Sequence, residues 1–299
     1  MRVLNIGSMN LDYVYKVDHI ILPGETQATE SREVFPGGKG INQSVALAKA
    51  GVEVYHAGLI GRGGQPFLDI CEAFGIHRDF IRQLDAPDGH TVIQIDKEAQ
   101  NSILLYGGTN RMLTEAFIDE VLSHFTSEDM LLLQNEVNLL PYIVDRAYEK
   151  GMTIALNPSP FDQRLDAVDM TKIKLFLLNE VEGHQLTGKT EPSEILSALK
   201  VLYPHAKVVL TLGKDGAMYA DQNETCFQPI FPVDAVDTTA AGDTFTGYFI
   251  AGCIQGLSKQ GSLQLGAKAS SIAVTRPGAV PSIPFLHEVM EALAPSAAV

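Results

Sequence analysis

Cationic side chains are scarce in this chain. Its 22 lysines and arginines stand against 36 aspartates and glutamates, for a formal net charge of −14. Nucleic-acid binding draws on clustered Lys and Arg, so the balance argues against that partner. It also sets a condition on any anionic ligand, which must be held by backbone amides, a few placed cations and metal ions. Cysteine is scarce too. Cys71, Cys226 and Cys253 are odd in number and have no metal-type spacing; they read as reduced thiols of a cytoplasmic protein. No apolar run reaches the length of a membrane span, and residues 1–7 turn polar too soon for a signal peptide. Internal repeats, low-complexity segments, charge runs and interdomain linkers are missing as well. What remains is an ordinary globular composition, 45% apolar and 19% charged over 299 residues, which fits one large α/β domain spanning 1–299.

The most informative stretch is Asp237-Thr238-Thr239-Ala240-Ala241-Gly242-Asp243-Thr244-Phe245. It opens an uncharged run over 245–257 that is apolar on nearly all sides, the mark of a buried central helix. Gly242, Gly247, Gly252 and Gly256 recur along it and let neighbouring backbone come close. The helix is expected to begin near Ala241 or Gly242, and its first amides then have no partner inside it. Ala240, Ala241 and Gly242 put almost no side chain in front of those amides, which makes an anion site. Asp243 sits in the same turn, placed to take a proton from a hydroxyl held against the anion. The plainer reading is that Asp243 or Asp237 caps the helix.

From the amino end, 3–7 reads as a short buried strand that delivers Asn10 and Asp12 to its carboxyl end, the edge at which open α/β sheets bind ligands. Residues 13–35 are extended, with Tyr13, Tyr15 and Val17 alternating, and 91–106 reads as a hairpin with a polar tip at 97–100. The two are expected to form one small sheet outside the main one. Between them lies Gly37-Gly38-Lys39-Gly40, opening a helix at 44–50. This is not a P-loop, because Glu33 and Gly40 stand where that motif needs glycine and Ser or Thr. Thereafter strands and helices alternate through 130–134, 140–150, 153–156, 175–178 and 208–212, implying a largely parallel sheet. Polar residues end several strands: Asn135-Glu136, Asn157-Pro158, Asn179 to Glu182, and Thr211-Leu212-Gly213. Asn179 and Glu182 also suit a helix cap, and Lys214-Asp215-Gly216 suits a hairpin turn.

Gly37-Gly38-Lys39-Gly40-Ile41-Asn42-Gln43 and the stretch 237–245 resemble the two signature motifs of the ribokinase-like (PfkB) sugar kinases. Gly7-Ser8-Met9-Asn10-Leu11-Asp12, Pro23-Gly24-Glu25-Thr26, Asn157-Pro158-Ser159-Pro160, Asn179-Glu180-Val181-Glu182, Thr211-Leu212-Gly213 and Val274-Thr275-Arg276-Pro277-Gly278-Ala279 follow in that family's order. The likeness covers nearly the whole chain. It implies a Rossmann-like three-layer α/β/α fold with a mainly parallel central sheet, and a small β lid from about 13–35 and 91–106. It also implies a kinase that moves the γ-phosphoryl of ATP, carried with Mg²⁺, to the primary hydroxyl of a furanose. D-Ribose, giving ribose 5-phosphate, is the expected acceptor; another sugar, a deoxysugar or a nucleoside is the alternative. A non-enzymatic binding protein on this fold is argued against by Asp243, since a pure binder needs no base there.

On the matching positions, the resemblance makes Asp243 the base and Ala240, Ala241 and Gly242 the anion hole. Asn10, Asp12, Gly38, Lys39, Asn42 and Glu136, together with Asp243, meet the sugar. Asn179, Thr211, Leu212, Gly213, Lys214, Asp215, Gly216 and Gly242 meet the nucleotide, and Glu182 reaches Mg²⁺ through water. Asp237, Thr239, Ala273, Arg276, Gly278 and Ser282 enclose an activating K⁺, mostly through backbone carbonyls. The lid also pairs two subunits into a homodimer. This chain departs from the family twice: Gly61-Arg62-Gly63-Gly64 lacks the usual acidic pair, and Ala267 stands about where many relatives have a polar residue near the adenine.

Overall fold

A computed structural model of the chain describes residues 1–98 and 100–294. Short apolar runs form its central strands, because helices cover both faces and no position along them needs to be polar. The first, β1 (Val3–Ile6), is buried throughout. Two strands of a second sheet follow, β2 (Asn10–Lys16) and β3 (Ser31–Gly37), and then α1 (Lys39–Lys49). The main sheet resumes with β4 (Val54–Ile60), α2 (Gln65–Phe74) and β5 (His77–Gln83). The hairpin β6 (Gly89–Ile95) and β7 (Asn101–Tyr106) returns to the small sheet. From α3 (Glu115–Ser123) the chain runs through β8 (Met130–Gln134), α4 (Leu140–Glu149), β9 (Thr153–Asn157) and β10 (Leu175–Asn179). Then come α5 (Glu180–Thr187), α6 (Pro192–Leu202), β11 (Lys207–Thr211), β12 (Ala217–Ala220) and β13 (Thr225–Gln228). Three helices close the chain: α7 (Ala241–Ile254), α8 (Lys259–Ala273) and α9 (Leu286–Leu293).

Among the described residues the main sheet has the order β13-β12-β11-β10-β9-β8-β1-β4-β5. It is parallel from β11 to β5, and the edge pair β12 and β13 is antiparallel. Strand alternation sends Val3, Met130 and Leu132 to one face and Leu4, Ile6, Leu131 and Leu133 to the other. The first face packs under α1, α2, α7, α8 and α9, and the second under α3, α4 and α6. The result is the three-layer arrangement expected. The chain leaves β1 toward β4 and β5, then crosses back to β8 on the other side. Strand order therefore reverses at the β1/β8 pair, and the crevice at their carboxyl ends is where such a sheet takes its ligand.

The small sheet has the order β3-β2-β6-β7. Joining 13–35 with 91–106 was expected, but the placement of Asn10 and Asp12 was not. They are not delivered by β1, which stops at Ile6; they lie on β2, in the small sheet. Asn10 pairs with Gly37 on one side and Gly89 on the other, so two residues without side chains let the ladder extend to the base of the sheet. The expected tip at 97–100 includes Ala99, outside the described residues. Of helices among the described residues, none is long and apolar enough to cross a membrane.

Helix α7 is the buried centre. Asp243 through Gly252 are all buried, and α1 and α8 flank it. At Gly247 a Cβ would press on the Ala46 methyl and lie 2.9 Å from the Leu47 amide nitrogen, so the glycine sets how near α1 can come.

Candidate active site

Two helix starts meet at the β1/β8 crevice. The first is α1, whose N-cap Gly38 has φ +102°, a conformation closed to most side chains. This turn lays the Lys39 amide against Glu136 (3.1 Å) and the Gly40 amide against Ser8 Oγ (3.2 Å). The Ser8 hydroxyl in turn donates to Glu136. The second is α7, which begins at Ala241 after Ala240 in a left-handed turn, φ +59°. Such a turn costs a non-glycine residue about 1–2 kcal/mol, and here it aims the first amides outward. The Ala241 amide folds back to the Thr238 carbonyl (3.2 Å). Those of Gly242 and Asp243 have no partner among the described residues, and the space above Gly242 is open. Of the three amides expected to face an anion, Ala241 is thus taken up by Thr238 while Ala240 and Gly242 have no partner among the described residues, and Asp243 joins them.

Asp243 is 8% exposed and closes the gap between the two helices. Its carboxylate accepts from Asn42 Nδ2 (3.0 Å) and Gln43 Nε2 (2.8 Å). Asn42 keeps its buried Oδ1 without a partner, an acceptor that a ligand hydroxyl would satisfy. Asn10 takes a hydrogen bond from Asn110 Nδ2 (2.8 Å), and Asp12 takes one from Thr91 Oγ1 (2.5 Å), its neighbour across the β2/β6 ladder. Burial pushes the Asp12 carboxyl up to about 6; Thr91 opposes this and the nearby Glu136 adds to it. Burial also raises Glu136, against the pull of the Lys39 ammonium. Burial alone would lower Lys39, but Asp243, Glu136 and Glu182 hold its charge and raise its pKa.

Beside Asp243 opens a cavity of about 260 Å³ lined by Lys39, Asn157, Asn179, Glu182, Thr211 and Gly242, among others. Lys39, expected at the sugar, sends its side chain here. Asn179 and Glu182 line it while forming a reciprocal cap on α5: each backbone amide donates to the other's side chain (2.8 and 3.0 Å). The capping expectation is thus met, by a pair that also lines the cavity. A second cavity, about 410 Å³ and largely apolar, continues from Thr211 past Gly213, Lys214 and Gly216 to Phe231 and Ala267. Leu212 does not line it; its side chain is buried in the core on the far face of the sheet. Asp215 stays outside both cavities, in the turn that joins β11 to β12.

The expected cation loop is knit to the start of the central motif. Asp237 accepts from the Thr239 amide (2.9 Å), the Thr239 hydroxyl (2.6 Å) and the Gly278 amide (2.8 Å). These donors outweigh burial and hold its carboxyl low. The Ala273 carbonyl takes the Arg276 amide (3.0 Å), Ser282 donates to Ala279 (2.7 Å), and Arg276 turns away to Glu288 (2.6 Å). The segment still offers oxygens only, the donor type a hard monovalent ion prefers. At 61–64 the missing acidic pair is answered from another segment: Asp88 accepts from the Gly61 and Gly63 amides (2.6 and 2.7 Å).

Sequence reading left Ser8, Thr91, Asn110 and Phe231 without a role, and it quoted Gln43 in a motif without assigning it one. Only Ser8 and Gln43 carried a signal, their places in the quoted motifs 7–12 and 37–43.

Comparison with known proteins follows the same outline. A family profile described as pfkB family carbohydrate kinase matches residues 2–286. A ribokinase of Haemophilus influenzae is 33% identical over 298 residues, 96% of this chain and 97% of that protein. The crystal structure of a Thermotoga maritima ribokinase superposes with a TM-score of 0.87 at 32% identity, covering 98% of this chain and 99% of that one. A structure of Arabidopsis thaliana ribokinase complexed with ribose and ATP gives 0.85 at 29% identity, covering 99% of both.

Proposed function

The chain belongs to the pfkB family of carbohydrate kinases, and from that premise we propose that it transfers the γ-phosphoryl group of ATP to the 5-hydroxyl of D-ribose, giving ribose 5-phosphate and ADP. The observation that carries this is Asp243: a buried carboxylate, oriented by two side-chain amides, one residue from the open Gly242 amide. Asn10, Asp12, Asn42 and Glu136 pair the sugar hydroxyls, and a sugar lacking one leaves a buried group unpaired. Asp243 accepts the proton of the attacking hydroxyl. It need not be a strong base, because in a loose transition state that proton leaves late. The Gly242 and Asp243 amides and the Lys39 ammonium face the charge that develops on the transferring group, already oriented.

Asn179 and Glu182 stand on the phosphate side, and the apolar cavity past Thr211 takes the nucleobase. Glu182 would be the residue that holds Mg²⁺ on the phosphate side, through water, and the ion would supply charge neutralisation there. K⁺ against Asp237 and the carbonyls of 273–282 steadies the turn at Ala240, so exchange of K⁺ for tetramethylammonium at constant ionic strength lowers kcat more than it changes sugar binding. Unchanged turnover in K⁺-free buffer would remove that role. The whole chain acts as one kinase domain in the cytoplasm, with the small sheet as lid and as the surface that pairs two copies. A kinase of a deoxysugar or nucleoside is not favoured, since the whole-length relatives above are ribokinases. The deciding experiment is ADP release over a panel of pentoses, hexoses and nucleosides. Ribose is expected to have the highest kcat/KM, and a ranking far below another compound would overturn the assignment.

A further inference from the structure

Behind Asp243 runs a set of buried polar side chains of which the reaction as described uses only the Gln43 amide. Gln43 Nε2 donates to Asp243 Oδ1 (2.8 Å), and Gln43 Oε1 accepts from Gln134 Nε2 (2.6 Å). Gln134 Nε2 also donates to Asn5 Oδ1 (3.2 Å). Asn5 Nδ2 donates to the Gly40 carbonyl (2.7 Å) and to Ser44 Oγ (2.9 Å), and Ser44 pairs with His56 Nδ1 (2.8 Å). All five side chains are at most 1% exposed. They come from β1, α1, β4 and β8, at the point where strand order reverses.

The donors and acceptors of this set fix one another. Burial pushes His56 down to about 4, so its ring is neutral near neutrality. Ser44 Oγ accepts from Asn5 and shares one hydrogen bond with His56 Nδ1, whose direction follows the ring's tautomer. Gln134 gives its amino group to both Asn5 and Gln43. A flipped Gln43 would set amino against amino at Gln134 and carbonyl against carboxylate at Asp243, two repulsive contacts in a dry interior where each is costly. Gln43 is therefore held with its donor toward Asp243. Asn42 keeps an unpartnered buried Oδ1, whereas Gln43 has both ends of its amide bound and is 1% exposed.

We infer that Gln43 is a positioning residue for Asp243, and that Gln134 and Asn5 keep its amide in the one orientation that lets it act. This rests on Asp243 being the base. Its mark is a loss in turnover without a loss in sugar affinity, because Gln43 touches the base and not the sugar.

The test is Gln43→Met, which keeps the volume and removes the donor. A hydrogen bond to a charged group corresponds to roughly a tenfold to hundredfold change in rate, so kcat should fall by that order while the ribose dissociation constant, read by calorimetry, stays at the wild-type value. In an Asp243→Asn background the same substitution should add no further loss, since residues acting through one group are non-additive. Gln134→Met, one step further back, should lower kcat less and with the same split. Wild-type kcat in Gln43→Met would overturn the proposal, as would an equal loss in the Asp243→Asn background. If Gln43→Met fails to fold, Gln134→Met decides in its place, and unchanged kcat there overturns the proposal. Wild-type protein inactive on ribose would instead sink the substrate assignment, and the comparison would then be run on the panel sugar it does phosphorylate.

Discussion

At the scale of single residues, Asp243 and Asp12 are both buried carboxylates with opposite tasks. Asp243→Asn keeps the shape but removes the base, and its one oxygen can accept from only one of the two amide donors. Turnover should fall at least about a hundredfold, the low end for a general base, with ATP binding intact by calorimetry; near-normal turnover would make Asp243 only a cap. Asp12 supplies a pH dependence. Its pKa of about 6 lies above the model-peptide 3.8, so between those values the folded chain keeps a proton that the unfolded chain has lost, and its contribution to stability falls as pH rises through that window. Sugar binding runs the other way, because the charged form is the better acceptor. The ribose KM should be flat above neutrality and climb as pH drops through about 6, and Asp12→Asn should remove that climb; a KM that ignores pH in the parent protein would count against Asp12 as a ligand. These residues were legible because each sits in a short local motif. Thr91 and Gln43 were not, since their partners lie 79 and 200 residues away in the chain and no local pattern announces a contact across that distance. Asn10 and Asp12 were found but misplaced: the short run 3–7 reads as one strand, and nothing in it shows that the next strand leaves for another sheet.

At the scale of elements, the start of α7 was readable to the residue, because an apolar run without charge has few alternatives inside a soluble fold, while its end at Ile254 falls three residues short of the run. Its packing was not readable. The glycines suggested close approach, but only the structure identifies Ala46 and Leu47 of α1 as what Gly247 admits. Gly247→Ala should push the two helices apart and lower stability by roughly 1–3 kcal/mol, the usual cost of overpacking, read as a lower urea midpoint. Because α1 carries Asn42 and Gln43, kcat per folded molecule should fall as well. Loss of stability with full kcat would mean that the helix spacing does not govern Asp243. The antiparallel edge of β12 and β13 went unread apart from its turn at Lys214-Asp215-Gly216, since strands that short carry too few residues for a period to show.

At the scale of the whole molecule, the small sheet carries many exposed apolar side chains. They are Ile103, Leu104, Leu105 and Tyr106 of β7, Val34 and Phe35 of β3, and Ile21 and Leu22 between β2 and β3, whereas Val17, which alternates with Tyr13 and Tyr15, is buried. Exposed apolar surface of this extent is commonly covered by a partner. Light scattering at micromolar concentration should give a dimer, and Leu104→Glu, which charges a side chain 68% exposed, should give a monomer without unfolding the chain. A parent protein that is monomeric and fully active would refute the pairing. The division into two sheets has one more effect. Asn10 and Asp12 ride on the small sheet while Asp243 rides on a helix of the large one, so in the proposed reaction an acceptor with several hydroxyls would span both. Water has a single oxygen and could not act as that bridge. On that reading the division into two sheets would serve as a safeguard against wasted fuel, leaving ATP idle until an acceptor worth phosphorylating has joined the two halves.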